Sequence, residues 1–164
     1  MADAADLVAA RLTAQLLAGP PAPGVEAVVG RLLAVQAQDA RGARLAVRVR
    51  SADLTAADVD RALSEDRSLV VSWLNRGTLH LVASEDYWWL EPLLAPRLAT
   101  GSARRLRQEG VSEPQADRGV EVIAAALAAE GPLTRDQLRE RLDDAGVPTS
   151  GQALVHVLLA ATKA

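Results

Sequence analysis

Aromatic side chains are almost absent from this sequence, and their scarcity limits the folds that it can adopt. Of 164 residues only Trp73, Tyr87, Trp88 and Trp89 are aromatic, and phenylalanine does not occur. A core must therefore be built from leucine, valine and alanine, and alanine is the best helix former. The chain is 49% hydrophobic, and its length suits one ordinary domain or two very small ones. We expect a mostly helical α+β protein.

The composition argues against several classes of protein. Cysteine is absent, and His80 and His156 are the only histidines, so neither a disulfide framework nor a metal site is expected, and no cofactor is indicated. No apolar run approaches the roughly 18 residues that span a membrane. The N-terminal segment carries acids where a signal peptide needs a basic start. The sequence therefore predicts a soluble cytoplasmic protein.

Helical periodicity marks the segments before residue 67. An apolar stripe predicts a first helix that ends near Ala18, ahead of a glycine and two prolines. A second helix is expected over residues 24–36. Residues 43–50 alternate like a strand, but their alanine-rich context favours a third, short helix. Thr55 and Asp58 form a capping box that predicts a fourth helix.

The sequence pattern changes from helical to strand-like at residues 68–83, which hold two short apolar runs rich in β-forming residues. A tight Asn-Arg-Gly loop around Arg76 joins them, so a hairpin is predicted. The next segment is helical in pattern with Ser84 as its cap, while Pro92 and Pro96 predict a kink or two helices. Three further helices are expected, with caps at Ser112 with Gln115, Thr134 with Gln137, and Thr149 or Ser150.

Helices followed by a hairpin are typical of the winged-helix form of the helix-turn-helix, which binds DNA. We read this pattern twice: a first unit over residues 1–110 with the hairpin as its wing, and a truncated second unit over residues 111–164 without a wing. The alternative is a plain helical bundle with one hairpin. Because no hairpin follows the last helix, we expect its apolar face to lack a cover and to promote self-association; that face holds Leu154, Val155, Leu158 and Leu159.

Basic and acidic residues are concentrated in separate segments of the chain, although the net charge is only −3. Residues 31–50 carry five arginines and one acid, whereas residues 53–66 carry five acids and one arginine. The basic segments are either solvated helix faces or phosphate-facing ridges along one cleft, and both interpretations stay open here. The arginines considered as DNA contacts are Arg41, Arg44, Arg48, Arg50, Arg104, Arg105 and Arg107.

Three segments together resemble a known family: RLLAVQAQDARGARLAVR, SLVVSWLNRGTLHLVASEDYWWL and GPLTRDQLRERL. They look like the N-terminal part of a bacterial winged-helix DNA-binding family that includes the DNA glycosylases that unhook interstrand crosslinks, of the azinomycin self-resistance type. The resemblance spans most of the chain. It implies tandem winged helices on double-stranded DNA and, for the enzymes, excision of cationic N7-alkylated or crosslinked purines.

The resemblance also implies that Gln36-Ala37-Gln38 is the catalytic motif, with Gln36 and Gln38 as the catalytic pair. A glutamine amide can neither protonate a leaving base nor deprotonate water, so the motif suits only lesions that already carry positive charge. On a helix, residues i and i+2 point about 200° apart. We therefore predict that helical backbone stops between Val35 and Asp39 and that both amides open onto one concave surface. Asp39 adjoins the motif and could supply a carboxylate.

Two further residues are candidate DNA contacts. Arg76 lies at the predicted hairpin tip, where an arginine can enter a minor groove, and His80 alternates with two leucines; simple exposure is the alternative for each. Tyr87, Trp88 and Trp89 are interpreted as packing residues. Three function classes stay open: a nucleoid-associated DNA-repair glycosylase, a non-catalytic winged-helix DNA binder or regulator, and a protein-interaction winged helix.

Overall fold

The computed structural model describes residues 3–163, with the side chains of residues 97–100 outside that description. The described part is mostly helical, as expected, and contains a three-stranded antiparallel sheet. Its elements are α1 (Ala4–Ala14), α2 (Val25–Leu32), β1 (Val35–Gln36), α3 (Ala40–Arg48), α4 (Ala56–Ser64), β2 (Leu69–Trp73), a 3-10 turn (Asn75–Gly77), β3 (Leu79–Ala83), α5 (Ser84–Gln108), α6 (Glu113–Glu130), α7 (Arg135–Asp144) and α8 (Ala153–Ala161).

The chain divides into two compact units, residues 1–93 and 94–164. The division falls inside α5, whereas the sequence analysis placed it after residue 110. The reason is that the last turns of α5 belong to the second core, in which Leu106 is buried.

The first core forms where α2, α3 and α4 pack on one face of the sheet. Each helix contributes residues three or four positions apart, which lie on one side of a helix. The sheet contributes alternate residues of its strands, which lie on one face. The buried members include Val25, Val28, Val29, Ala43, Val47, Val59, Ala62, Leu69, Leu81 and Ala83.

The predicted hairpin is confirmed as β2 and β3, and a short strand joins it that the sequence analysis did not predict. The strand order is β1-β3-β2, with Gln36 opposite His80 and Ser72 opposite the same histidine on the other side. The predicted end of α2 at Gln36 is wrong. Leu33 has a φ of 64°, so helical backbone ends at Leu32 and the next residues extend into β1.

The second core is formed by α6, α7, α8 and the end of α5. Gly119 of α6 lies against α8, because a Cβ there would stand 2.7 Å from Val157 Cγ1. The buried members include Leu106, Val111, Ile123, Leu138, Leu142, Val147, Leu154 and Val157. The close approach of α6 and α8 therefore requires a glycine at position 119.

The predicted helix starts are confirmed for α4, α6 and α7, each of which has a complete capping box. The predicted cap of α8 at Thr149 or Ser150 is wrong. Gln152 is its N-cap residue, and the Glu109 carboxylate accepts a hydrogen bond from the Gln152 amide at 3.0 Å. Gly151, with a φ of 57°, leaves room for that carboxylate.

Two other helical predictions also need correction. α1 ends at Ala14 rather than near Ala18, Leu16 has a φ of 57°, and no residue of α1 is buried. α5 is one helix that runs through Pro92 and Pro96, so of the two predicted alternatives, a kink or two helices, the second is wrong. Ser84 is its first residue rather than its cap, and its hydroxyl donates to the Arg67 carbonyl at 2.6 Å.

The apolar face of α8 is covered, contrary to the sequence-based prediction. Leu154 is 1% exposed and Leu159 5%, while Val155 and Leu158 are half-buried. The cover comes from α6, with which α8 makes extensive contact, together with Leu106 and Val111. Three helices and the end of α5 therefore bury this face without a hairpin.

Candidate functional site

A cleft of about 700 Å³ opens in the first unit beside β1. Its lining includes residues spaced four apart on α3 and just beyond its end, together with the segment that follows α2. The lining residues are Gln15, Leu32, Ala34, Val35, Gln36, Gln38, Asp39, Gly42, Ala46 and Arg50.

The two candidate glutamines both line this cleft, as predicted, although the backbone reason differs from the predicted one. Val35 and Ala37 are 6% exposed each, whereas Gln36 and Gln38 are exposed. Successive side chains of extended backbone point to opposite faces, so residues two apart share a face. The apolar residues thus anchor the motif in the core, and extended backbone places both amides on the side of the cleft.

Gln38 ends the pairing between β1 and β3. The Ala37 amide donates to the Leu79 carbonyl at 2.8 Å, and the Leu79 amide donates to Gln38 Oε1, also at 2.8 Å. In a continued antiparallel ladder that second bond would go to a backbone carbonyl of β1. The Gln38 side chain replaces that carbonyl, so the backbone is free to turn away into α3 while the amide is held at the sheet edge.

Asp39 is the N-cap residue of α3. Its Oδ1 accepts from the Arg41 amide and its Oδ2 from the Gly42 amide, each at 3.0 Å. A Cβ at position 42 would lie 3.0 Å from Asp39 Oδ2, so the cap packs closely on the first turn of α3. The carboxylate considered as a possible base is therefore engaged in capping a helix, which is its evident structural role.

Arg50 brings a positive charge to the cleft and is held from two sides. Its Nε donates to the Gln15 carbonyl at 2.9 Å, and its Nη1 donates to the Ala46 carbonyl at 2.7 Å. Both contacts are to neutral carbonyls, so the charge is not neutralised by either. Gln15, which the sequence analysis did not single out, also lines the cleft and contacts Arg50 through its carbonyl.

The remaining arginines of the first unit differ in what they contact. Arg44 forms an ion pair with Asp60 of α4 and also donates to the Ala40 carbonyl at 2.7 Å. This pairing joins α3 to α4 and gives Arg44 an acidic partner within the protein. A contact between Arg44 and phosphate stays a prediction. Arg48 is exposed and donates to the Leu54 carbonyl at 3.2 Å, and Arg41 is exposed in the first turn of α3.

The predicted basic segment of the second unit lies on the last turns of α5. Arg104, Arg105 and Arg107 are all exposed there, and Arg105 donates to Gln108 Oε1 at 3.4 Å. These side chains are free of acidic partners among the ion pairs of the described residues. Whether they share a cleft with the arginines of α3 stays a prediction.

The hairpin carries the two other candidates. Arg76 is exposed at the turn, where it adopts a left-handed backbone with a φ of 59°. His80 is half-buried, and its Nδ1 lies 2.9 Å from the Thr78 carbonyl. A carbonyl only accepts, so Nδ1 carries the proton and Nε2 is left for other contacts. His80 lies between Gln36 and Ser72 on one face of the sheet.

The aromatic residues of α5 are not the packing residues that the sequence suggested. Trp88 is 76% exposed and Trp89 50%, whereas Tyr87 is half-buried and meets Trp88 edge to face. Trp89 Nε1 donates to Asp86 Oδ1 at 2.9 Å. Within the described residues no group of acids and histidines could hold a metal ion. The described helices are also too short or too polar to cross a bilayer.

Comparison with known proteins gives three findings. Residues 29–162 match the family described as AlkZ-like, DNA glycosylase AlkZ-like. The chain is 37% identical over 135 residues to an interstrand DNA cross-link repair glycosylase of Streptomyces sahachiroi, a match that covers 80% of this chain and 35% of that protein. It superposes on the solved structure of Streptomyces sahachiroi DNA glycosylase AlkZ with a TM-score of 0.66 and 32% identity. That superposition covers 92% of this chain and 42% of the other, so this chain spans well under half the length of either relative.

Proposed function

Because this chain belongs to the AlkZ-like DNA glycosylase family, we propose that it supplies the base-removing part of an enzyme that excises cationic N7-alkylated or crosslinked purines from double-stranded DNA. The observation that carries the proposal is that Gln36 and Gln38 both line one cleft. Action on double-stranded DNA would associate the working protein with the nucleoid.

The order of elements in the first unit supports a winged-helix interpretation. Helix α2 is followed by the short strand β1, by α3 and α4, and by the hairpin β2–β3, whose second strand pairs with β1. Winged-helix units have this arrangement of three helices with a hairpin wing. We interpret α6, α7 and α8 as a second three-helix unit without a wing in the described residues.

The chemistry of the cleft fits a base that leaves without help from an acid. In an N7-alkylated guanine the C1′–N9 bond breaks with its electron pair moving to the cationic purine, which departs neutral. Water attacks C1′ to form the new C–O bond, and its surplus proton goes to solvent. Two amides that line the same cleft can orient that water and a neighbouring oxygen without exchanging a proton, which is catalysis by positioning and by dipoles.

The DNA-contacting surface is proposed on α3 beside the cleft. Gly42, Ala46 and Arg50 form the stripe that lines the cleft. Arg41 and Arg48, both exposed, lie on the adjoining stripe and would contact phosphates beside the cleft. In contrast, α4, the helix that reads bases in a winged helix, carries two aspartates and is a poor partner for DNA.

Three further contacts belong to the proposal. Arg50 would bind a phosphate of the nucleotide that enters the cleft, since its guanidinium is already oriented by two carbonyls. Arg76 would contact the minor groove from the hairpin tip, and His80 would present Nε2 beside Gln36. In the second unit the proposed phosphate contacts are Arg104, Arg105 and Arg107.

The test is release of free base from duplex DNA that contains N7-methylguanine, measured by mass spectrometry against DNA without protein. We expect release by the wild-type chain, and a loss of roughly 100-fold in Gln36→Ala and Gln38→Ala, the usual effect of removing one preorganised polar group. Gln108→Ala is the matched control, because Gln108 is an exposed glutamine outside the cleft. Equal loss in the control would refute the assignment of the motif.

Two negative results would select among the other function classes. Salt-sensitive DNA binding without base release by the wild-type chain would favour a non-catalytic DNA binder. Absence of DNA binding would favour a protein-interaction module. Self-association through α8 would have to use the half-buried Val155 and Leu158, and it stays a prediction that sedimentation velocity tests.

A further inference from the structure

The orientation of the Gln38 side-chain amide is fixed, and this polarity determines whether Gln38 offers a donor or an acceptor to the cleft. A backbone N–H can only donate a hydrogen bond. The terminal atom of Gln38 that lies 2.8 Å from the Leu79 nitrogen must therefore be its oxygen. This assignment follows from the partner and does not depend on telling oxygen from nitrogen in the side chain.

With Oε1 turned to Leu79, the atom that Gln38 has left for the cleft is Nε2 with its two N–H groups. The two terminal atoms of an amide diverge from one carbon, so both cannot face the same partner. Gln38 lines the cleft, and among the described residues no acceptor contacts its Nε2. Gln38 therefore offers hydrogen-bond donors to whatever occupies the cleft.

Gln36 is under no such constraint. It is exposed, lines the same cleft, and lies opposite His80 in the register of β1 and β3. No backbone group of the described residues fixes its amide, so Gln36 can turn its oxygen toward a ligand. A pair of amides with one free and one fixed polarity can present an acceptor and a donor at the same time.

We propose that the two glutamines have different roles: Gln36 Oε1 accepts a hydrogen bond from the attacking water, whereas Gln38 Nε2 donates to an oxygen of the sugar–phosphate of the lesion nucleotide. The Leu79 backbone amide is the positioning group that imposes this division. The proposal rests on the proposed function, because it assigns separate roles to two residues of that same cleft. With an aspartate in place of Gln38, the side chain would be shorter and would have no N–H group to donate. The proposal therefore applies to a chain with glutamine at position 38.

The first test measures the orientation of the Gln38 amide independently of base release. Hydrogen exchange of the Leu79 amide is measured by NMR in the wild type, Gln38→Glu and Gln38→Ala. We expect slow exchange in the wild type and in Gln38→Glu, whose carboxylate still accepts, and exchange at least about tenfold faster in Gln38→Ala, since losing one hydrogen bond of roughly 1.4 kcal/mol corresponds to that factor. Unchanged exchange in Gln38→Ala would overturn the proposal.

The second test uses the pH dependence of base release by Gln36→Glu and Gln38→Glu between pH 4 and 8, corrected for release without protein. A glutamate ionises near pH 4.3 when unperturbed. Gln36→Glu replaces an acceptor by a stronger one, so its activity should persist at pH 8 and fall as the acid is protonated. Gln38→Glu replaces a donor by an acceptor, so it should lose roughly 100-fold at pH 8 and recover as protonation restores a donor.

Parallel pH profiles for the two variants, or Gln38→Glu as active as the wild type at pH 8, would overturn the proposal. Thermal unfolding of both variants shows whether each remains folded. If the wild-type chain releases no base at any pH, the proposed function fails. The polarity of Gln38 is then still decided by the Leu79 amide, so the two failures are distinguishable.

Discussion

Gly119 sets how closely α6 and α8 can approach, and replacing it by alanine should destabilise the second unit. An added Cβ would stand 2.7 Å from Val157 Cγ1, 3.4 Å from Val147 Cγ1 and 3.5 Å from Leu142 Cδ2. All three neighbours are at most 2% exposed, so none has free space into which it can move. The substitution therefore forces either an off-rotamer valine or a separation of the two helices.

The magnitude follows from two opposing contributions. Overpacking a filled core costs about 1–3 kcal/mol. Replacing glycine by alanine inside a helix stabilises it by about 1 kcal/mol. Gly30→Ala is the matched control, because Gly30 lies in α2 and a Cβ there meets nothing within 4 Å. We expect Gly30→Ala to raise the free energy of unfolding, and Gly119→Ala to fall about 1–3 kcal/mol below it.

The assay is hydrogen exchange of the slowest amides in each unit, which reads the stability of the two units separately. A double variant completes the test: in a Val157→Ala background the clashing Cγ1 is gone, so Gly119→Ala should no longer destabilise. A coupling free energy between the two substitutions of about 1 kcal/mol or more is expected. If Gly119→Ala stabilises its unit as much as Gly30→Ala does, the reasoning from the 2.7 Å contact is refuted.

Three other predictions follow from single side chains. Arg41→Gln should lower the slope of log affinity for DNA against log salt by about 0.9 and leave the free energy of unfolding unchanged. Arg44→Gln should leave that slope unchanged and lower the free energy of unfolding by ~1 kcal/mol, because it removes the ion pair with Asp60. The reverse pattern would contradict a structural role for Arg44. Arg76→Gly should raise the free energy of unfolding by up to ~1 kcal/mol, since φ is 59°, while weakening DNA binding in titrations. Burial, with a smaller contribution from Arg105, holds the pKa of His156 below its usual 6.5. As the pH is lowered, His156 is therefore protonated in the unfolded chain before it is protonated in the folded one. The denaturation midpoint of the second unit should decrease as the pH is lowered below about 6.5, and it should decrease less in His156→Leu.

The sequence predicted the elements whose signals are local. The capping boxes at Thr55, Ser112 and Thr134 marked three helix starts because the hydrogen bonds they make involve residues only three apart. The hairpin followed from β-forming residues around a turn glycine. The apolar context of residues 43–50 correctly favoured a helix over a strand, and α3 covers most of them.

The errors arise where a partner far away in the sequence decides the structure. Glu109 caps α8 from 43 residues away, and no pattern near Thr149 indicates it. The acidic partner of Arg44, Asp60, is also set by the fold, and the sequence analysis did not anticipate it. Burial of Leu154 likewise depends on α6, so the sequence could not show that three helices suffice to cover it.

The candidate site shows both kinds of signal. Val35, Gln36, Ala37 and Gln38 alternate apolar and polar, which is the period of a strand, so β1 could have been recognised from the same letters that were read as a helix end. The orientation of Gln38 could not, because it depends on the Leu79 amide, 41 residues away. Pairing with the hairpin, and not the motif alone, gives the motif its geometry.

The backbone at Leu33 explains how a helix-like sequence comes to present both amides on one side. Its φ of 64° and ψ of −45° lie near the strained γ-turn region, which costs a non-glycine residue on the order of 1–3 kcal/mol. If α2 continued through Gln38 without that break, Gln36 and Gln38 would point about 200° apart and could not share a ligand. The strain is offset by burying Val35 and Ala37 and by two hydrogen bonds with Leu79. A locally unfavourable residue at the edge of the cleft, supported by the sheet next to it, is what a site that must bring two amides to one cleft requires.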